Sequence, residues 1–474
     1  MPDSASSFST LNYVLTIRLR VQKPSNSLSR ALNSISKGGG DVGAIDVVKV
    51  GSDHVIRDIT VSLRDAGHAD DIIARLKRVK QVEVVSSTNP ILSKHENGKI
   101  AVVPKSEVTN NAELAQVYTP GVAQVCAEIH ARPQMAFSHT IKGNTVAVIS
   151  DGSRVLSLGN IGARAAMPVM EGKAMLFKQF AGVDAFPICL DTQDTDDIVR
   201  TIINISPAFG AINLEDIASP RCYEIETRLQ AALDIPVFHD DQHATAIAVL
   251  AAAINASKLV GKPLSTIKLV ASGVGAAGLA CLKLLMAAGV KNVIGFNMGG
   301  AVHRQRQDLT EQERWLADRT NEEIFAGSMK QALEGADMFL GLSVGNVLKA
   351  SDLKVMAKDA IVFALANPVP EVSPEKAAKY ARVIATGGSN YPNQINNALV
   401  FPGIFKGALK ARVPQITEEM KMAAAFALAG VIADQEIHED YVIPTFFDER
   451  VAKSIAEAVI KVAAATGAAR SECN

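Results

Sequence analysis

The chain has 474 residues, 48% hydrophobic and 20% charged, an ordinary globular composition with length for about two to four domains. Lys and Arg total 48 against 49 for Asp and Glu, which excludes the global basic field that recruits nucleic acid or an anionic membrane and leaves small-molecule chemistry as the expectation. The five cysteines, Cys126, Cys189, Cys222, Cys281 and Cys473, form no C-x-x-C pair, the Ser-rich first ten residues lack the apolar region of a signal peptide, and no apolar run reaches about 18 residues, so a cytoplasmic protein without a membrane span is expected.

The first predicted domain covers residues 1–90. Leu15, Ile17, Leu19 and Val21 alternate with Thr16, Arg18 and Arg20, the period of a strand, and Leu28, Leu32 and Ile35 then recur at helical spacing. Strands over 44–50 and 55–63 follow, split by the turn residues Gly51, Ser52 and Asp53. Ile72, Ile73 and Leu76 mark a second helix, and Val82, Val84 and Val85 a last strand, which gives the order βαββαβ of a ferredoxin-like sandwich. With Gly38 to Val50 reading GGGDVGAIDVVKV, this domain resembles the ACT family of small regulatory modules. The resemblance implies pairing and an amino-acid or other small effector; a packing module without a ligand fits the same pattern. Its first strand-to-helix loop reads Pro24, Ser25, Asn26, where that family commonly has Gly after Pro, and the polar residues 86–96 read as a linker.

A second domain is expected over residues 97–240 and a third over 241–474, with the helices after Pro414 packing back on the body. Two apolar stretches in this region end in acids, Asn213-Leu214-Glu215-Asp216 and Ile235 through Asp240 and Asp241. Four carboxylates at strand ends on one edge repel one another unless a cation or a proton lies between them. Oxygen-only ligation favours Mg²⁺ or Mn²⁺ over zinc, and His239 and His243 beside the acids read as packing or supporting groups.

Ile267 to Ser272 is a short apolar strand, Gly273, Val274, Gly275, Ala276, Ala277 and Gly278 follow, and Leu279, Leu282 and Leu285 then share a helical face. This is G-x-G-x-x-G in the strand-turn-helix context that dinucleotide binding requires: one glycine for the turn, one for close approach of the pyrophosphate, one for helix packing. The second strand, over 292–297, ends in Asn297 where an acid would accept the ribose 2′-OH of NAD. His303, Arg304 and Arg306 come soon after, so either NAD or NADP is expected, with a slight lean to NADP. The fold class expected is α/β: a Rossmann-type doubly wound domain and a separate α/β substrate domain, preceded by the small ferredoxin-like one.

Seven segments appear in order: Tyr118-Thr119-Pro120-Gly121-Val122, Ser150 to Gly162 (SDGSRVLSLGNIG), Val169 to Ala174 (VMEGKA), Asn213 to Asp216 (NLED), Phe238 to His243 (FHDDQH), Phe363 to Pro368 (FALANP) and Asn396 to Gly403 (NNALVFPG). Together they resemble the malic enzyme family in its short bacterial form, over roughly residues 100 to 450. The resemblance implies malate and pyruvate as ligands, Lys173 as general base, Tyr118 as general acid, and a metal on Glu215, Asp216 and Asp241 with Asp240 tuning the base. It further implies Arg154 as the clamp on a substrate carboxylate, Asn367, Asn396 and Asn397 along the substrate, Asn367 also at the cofactor, and a homo-oligomer, dimer or larger. At Ala244 and at Gly387, Gly388, Ser389 and Asn390 the chain departs from the family's usual Gly and Gly-Arg-Ser-Asp.

Malate oxidation explains these residue types on chemical grounds. The C2 hydroxyl must lose a proton as C2 gives up a hydride, which requires a base, and a lysine serves only if its proton affinity is lowered. Loss of CO₂ then leaves charge on the C2 oxygen that a Lewis acid stabilises, and C3 needs a proton. Two other readings compete: a malolactic-type enzyme that retains the reduced product as lactate, and a catalytically silent sensor in which the N-terminal domain is the working part.

Overall fold

The computed structural model describes residues 13–23 and 26–470; the first ten residues, Pro24, Ser25 and Cys473 lie outside them. The chain divides into two compact units, residues 1–101 and 102–474.

In the first unit, β1 (Tyr13–Gln22), a helix (Ser27–Lys37), β2 (Asp41–Val50), β3 (His54–Leu63), a second helix (Ala66–Leu76) and β4 (Val82–Thr88) follow in the expected order. The strands form an antiparallel sheet of order β2-β3-β1-β4. The period-two pattern of β1 works as read: Leu15, Ile17, Leu19 and Val21 are buried with Ile35, Ile72 and Leu76 in one core. The stretch read as a linker is not irregular. β4 runs on to Thr88, and Pro90–His95 is a short helix whose first N–H groups, of Ile91 and Leu92, are accepted by the Asn89 side chain. Asn as N-cap before Pro is a helix-start signal that the polarity of the segment masks.

The second unit holds two sheets. β5 (Thr145–Ser150), β6 (Asp184–Cys189), β7 (Ala211–Leu214) and β8 (Val237–His239) form a parallel sheet of order β6-β5-β7-β8. β9 (Lys268–Ser272), β10 (Asn292–Asn297), β11 (Gly300–Ala301), β12 (Met338–Gly341), β13 (Ala360–Ala364) and β14 (Ala381–Thr386) form the other, in the order β11-β10-β9-β12-β13-β14. That is the 3-2-1-4-5-6 order of a Rossmann-type sheet, with a short antiparallel third strand, and its topological switch point lies between β9 and β12. Both sheets read as continuous apolar runs because parallel strands are covered on both faces.

The helix Asp240–Val260 begins where β8 ends and is buried along most of its length. Alone among the described residues it is long and apolar enough to cross a membrane, a feature the absence of an expected apolar run overlooked, yet its most apolar window is 72% buried among the protein's own elements. Ala244 on this helix is fully buried in the core, so the methyl that replaces the family's usual hydrogen is packed. The helices Glu418–Ala429 and Arg450–Ala465 contribute to that same core, as expected for the segment after Pro414, and the helix Phe401–Ala411 before it joins them.

Candidate active site

Glu215 and Asp216 follow directly on β7, and Asp240 and Asp241 open the helix after β8, so adjacent parallel strands carry all four acids to one edge. One carboxylate oxygen each from Glu215, Asp216 and Asp241 lie within 4.8 Å of one another. The helix N-terminus favours the negative charge of Asp240 and Asp241, while the Asp216 backbone N–H donates to Asp241 Oδ2 at 3.3 Å. Asp216 itself has φ of +54°, a left-handed conformation that costs a non-glycine residue energy and turns its carboxylate toward Asp241.

Lys173 comes to the cluster from the helix Ala163–Ala181, which ends at Gly182 in the left-handed conformation that closes a helix. Its Nζ lies 2.6 Å from Asp240 Oδ2 and 2.7 Å from Glu215 Oε1, and 4.3 Å from the centre of the Phe401 ring. The side chain is 7% exposed. Burial works against its charge, but the fields of Asp240, Glu215 and Asp241 outweigh burial and hold the ammonium above the usual lysine range. The expected lowering of its proton affinity is thus absent from the residues alone. Burial, reinforced by the neighbouring acids, also lifts Glu215 well above the carboxylate range and Asp216 to about 7. Asp240 rises for the same first cause, against the pull of Lys173.

One ammonium does not balance four acids. Asp216 Oδ2 and Asp240 Oδ1 are buried without a hydrogen-bond partner, a cost of the order of 1–3 kcal/mol each that a bound cation or a proton would remove. Three converging carboxylates with oxygen donors only suit a hard divalent ion such as Mg²⁺ or Mn²⁺. The residues present therefore fit a metal, with Glu215, Asp216 and Asp241 as the groups able to hold it.

Arg154 joins the cluster through its backbone, whose N–H donates to Asp216 O at 3.0 Å, while its side chain is exposed. The loop that carries it is fixed by Asp151, which takes Arg221 Nη2 at 2.7 Å and the Ser153 hydroxyl at 2.6 Å. Asn367 and Asn396 line one cleft, together with Gly387, Gly388 and Asn390. Asn396 Oδ1 accepts the Ala398 N–H at 2.9 Å, Asn397 is half-buried beside it, and the segment leads straight to Phe401 against Lys173. Tyr118 is not brought to the cluster: it caps the helix Asn111–Val117 and is 66% exposed.

Sequence reasoning missed Glu226. It lies on the helix Arg221–Ala232, and its carboxylate takes the His239 backbone N–H and His243 Nε2, each at 2.9 Å, and Gln242 Nε2 at 3.3 Å. It thereby fixes the turn from which Asp240 and Asp241 project. Glu371 was missed likewise. Fully buried, it accepts the N–H groups of Ser343 and Ala366 at 2.9 Å and so ties together the loops that leave β12 and β13.

The Gly-rich turn sits at the C-terminal end of β9. Gly273 has φ of +95°, its N–H donates to Phe296 O at 2.9 Å, and a side-chain carbon there would collide with the Leu342 carbonyl. At Gly278 such a carbon would collide with Gly273 O, while at Gly275 it would meet nothing in the protein. Open space at Gly275, ahead of the helix Ala276–Ala287, is the form of a cradle for a pyrophosphate, with Ala276 and Ala277 supplying the first helical N–H groups.

Comparison with known proteins agrees with this architecture. Residues 97–230 match the family model described as malic enzyme, N-terminal domain, and residues 242–464 that described as malic enzyme, NAD binding domain. The chain is 52% identical to the NAD-dependent malic enzyme of Geobacillus stearothermophilus over 97% of this chain and 96% of the relative, and 50% identical to the bifunctional malic/malolactic enzyme of Bacillus subtilis over 80% of this chain and 93% of the relative. The crystal structure of malic enzyme from Pyrococcus horikoshii matches with a TM-score of 0.77 at 47% identity, covering 81% of this chain and 92% of the other. With both malic enzyme domains matched and its carboxylates, buried lysine and Gly-rich turn arranged as described, the chain belongs to the malic enzyme family.

Proposed function

We propose that Lys173, Asp240, Tyr118, Arg154, Asn367, Asn396 and Asn397 perform, with a divalent ion on Glu215, Asp216 and Asp241, the NAD(P)-linked oxidative decarboxylation of malate to pyruvate and CO₂. The observation that carries this reading is the buried Lys173 ammonium held between Glu215 and Asp240, two residues of one carboxylate cluster. When bound, a divalent ion supplies positive charge that offsets the carboxylate field on Lys173 and Lewis acidity at the C2 oxygen. Lys173 then takes the C2 hydroxyl proton as the hydride leaves C2 for the nicotinamide, and Asp240 holds the ammonium so formed in a single position. Arg154 recognises a malate carboxylate through its planar fork, and the asparagines of the cleft orient the rest of the substrate. Tyr118 delivers a proton to C3 after CO₂ departs and is recharged by Lys173, so the hydroxyl proton becomes the C3 proton and none is gained or lost overall.

Tyr118 acts within this scheme only if the segment that bears it is brought to the cluster. No residue over 102–144 is buried, and Val102, Val103, Leu114, Val117 and Val122 are exposed with Tyr118, which supports a homo-oligomer, dimer or larger, covering that surface. The βαββαβ order of the first unit supports its reading as an ACT-like regulatory domain for an amino acid or other small effector. Free Cys126, Cys189, Cys222 and Cys281 agree with a cytoplasmic location.

Initial rates with malate, Mn²⁺ and either NAD or NADP test the assignment. Reduced nucleotide and pyruvate appear, EDTA stops both, and Lys173→Ala lowers kcat by at least about a thousandfold while NADH still binds. Equal loss of nucleotide binding in that variant makes Lys173 structural. The relative named as a bifunctional malic/malolactic enzyme favours one second reading, and lactate in place of pyruvate and free reduced nucleotide in the same assay identifies it.

A further inference from the structure

The adenosine end of the nucleotide site contains a polar cluster that the sequence does not reveal. In a Rossmann-type sheet the end of the second strand faces the adenosine ribose, and an acid there accepts the 2′-OH of NAD whereas a nearby arginine takes the 2′-phosphate of NADP. Here that strand is β10, which ends in Asn297. The Gly273 N–H bonded to Phe296 O sets the strand end directly beside the phosphate turn.

Arg306 is the cation placed to serve a 2′-phosphate, and it is fully engaged. Its Nε donates to Asp308 Oδ1 at 2.9 Å and its Nη2 to Asp308 Oδ2, while Nη1 donates to Asn297 Oδ1 at 2.7 Å and to the carbonyls of Gly300 and Ala301 at 3.3 Å. The side chain is only 11% exposed and lies flat over Gly299, where any side-chain carbon would collide with it. The other arginines of the run make backbone or aromatic contacts. Arg304 donates to Glu322 O, Arg314 to the carbonyls of Arg304 and Arg306, and Arg319 stacks on Trp315. Behind Asn297 stands a carboxylate: Glu313 Oε1 accepts Asn297 Nδ2 at 2.8 Å. The other Glu313 oxygen accepts the Thr310 N–H at 2.9 Å, so its place is fixed by the cap of the helix Glu311–Ala317.

We propose that the cluster of Asn297, Arg306, Asp308 and Glu313 makes this enzyme select NAD over NADP. Asn297 is neutral, the Glu313 carboxylate stands directly behind it, and the Arg306 guanidinium beside it is already held by both oxygens of Asp308 and is only 11% exposed. A 2′-phosphate, carrying up to two negative charges, would enter beside Glu313 and meet an Arg306 already committed to Asp308, whereas a 2′-hydroxyl carries no charge to repel. The lean toward NADP drawn from the closeness of Arg304 and Arg306 in sequence is thereby reversed: proximity in the chain supplied Arg306, and its pairing with Asp308 engages it. This inference rests on Gly273 to Gly278 as the dinucleotide turn.

The test is binding, measured on the full chain without malate or metal so that it is independent of the catalytic roles. Titration with NADH and NADPH, followed by nicotinamide fluorescence, is expected to give a Kd at least about tenfold lower for NADH, equivalent to about 1.4 kcal/mol. Glu313→Gln removes the acid and keeps a capping acceptor at that position, and Asp308→Asn loosens Arg306. Each narrows the NADPH to NADH ratio, and together they narrow it by about tenfold or more, chiefly through tighter NADPH binding. Asp308 is 65% exposed, so Asp308→Asn alone reports even if the Glu313 variant fails to fold. Equal or tighter NADPH binding by the wild type, or a ratio unmoved by Asp308→Asn, overturns the proposal. A wild type that binds neither nucleotide overturns the turn assignment on which it rests, and loss of malate oxidation with the ratio intact bears only on Lys173 and its partners.

Discussion

Glu226 shows how a single buried carboxylate can govern a site it does not touch. It is 6% exposed, and burial alone would raise its proton affinity. His243, His239 and Lys421 more than offset burial and hold its carboxyl at about 2, against an ordinary value of 4.5. A folded value below the unfolded one means that the interaction stabilises the protein fully above pH 4.5 and is lost as the pH falls from there toward 2. Glu226→Gln should therefore cost about 2 to 3 kcal/mol near neutrality. Its deficit in unfolding midpoint against wild type should shrink as the pH falls below about 4.5. Calorimetry over a pH series reads this directly, and a deficit that persists unchanged to pH 3 would make the effect one of packing. Lys173, Glu215, Asp216 and Asp241 were legible in the sequence because each falls within a short segment with its own pattern. Glu226 was not, because an acid on a helix reads as a solvated residue until the turn at His239 is known to lie against it. The contact between Lys173 and Glu215 was not legible for a related reason: Glu215 follows β7, far along the chain from the helix that carries Lys173.

At the scale of elements, the Gly-rich turn separates folding from binding at neighbouring positions. Gly273 adopts a positive φ and has no room for a side chain, whereas Gly275 has an ordinary φ of −72° and faces open space. Gly273→Ala should lower stability by about 2 to 4 kcal/mol through backbone strain and a collision with the Leu342 carbonyl. Gly275→Ala should fold with an unchanged midpoint and raise the Kd for NADH by at least about tenfold, because its methyl occupies the space left for a pyrophosphate. Thermal unfolding and nucleotide titration of both variants distinguish these effects, and an unfolded Gly275→Ala protein counts against the cradle. The strand-turn-helix order made this element readable in advance. Glu371 was beyond such reading, because the reason for a buried acid after β13 appears only when the loops from two strands converge on its carboxylate. The helix Pro90–His95 was missed for the opposite reason: the polar residues on either side of it outweighed the start signal of Asn89 and Pro90.

For the whole molecule, the surface over residues 102–144 is the feature that a single chain does not explain. The helices Asn111–Val117 and Val122–Ala131 bury no residue, although Leu114 and Val117 are spaced for one apolar face of the first and Val122 opens the second. Val102 and Val103 are 82% and 73% exposed. Such a face costs about 25 cal/mol for each Å² left in water, and a second copy of the chain that covers it would recover that energy while placing Tyr118, at the end of the first of these helices, in an enclosed setting. Wild-type protein should accordingly show the mass of a dimer or larger assembly by light scattering. The double substitution Leu114→Asp and Val117→Asp, which adds charge at partly exposed positions and opens no cavity in the core, should shift the mass toward a single chain and lower malate oxidation by at least about a hundredfold. NADH binding should persist, since the Gly273 turn lies on a different element. A monomeric wild type would show that this apolar surface serves another purpose, and a dissociated variant that retains full activity would show that the reaction needs no second chain over Tyr118.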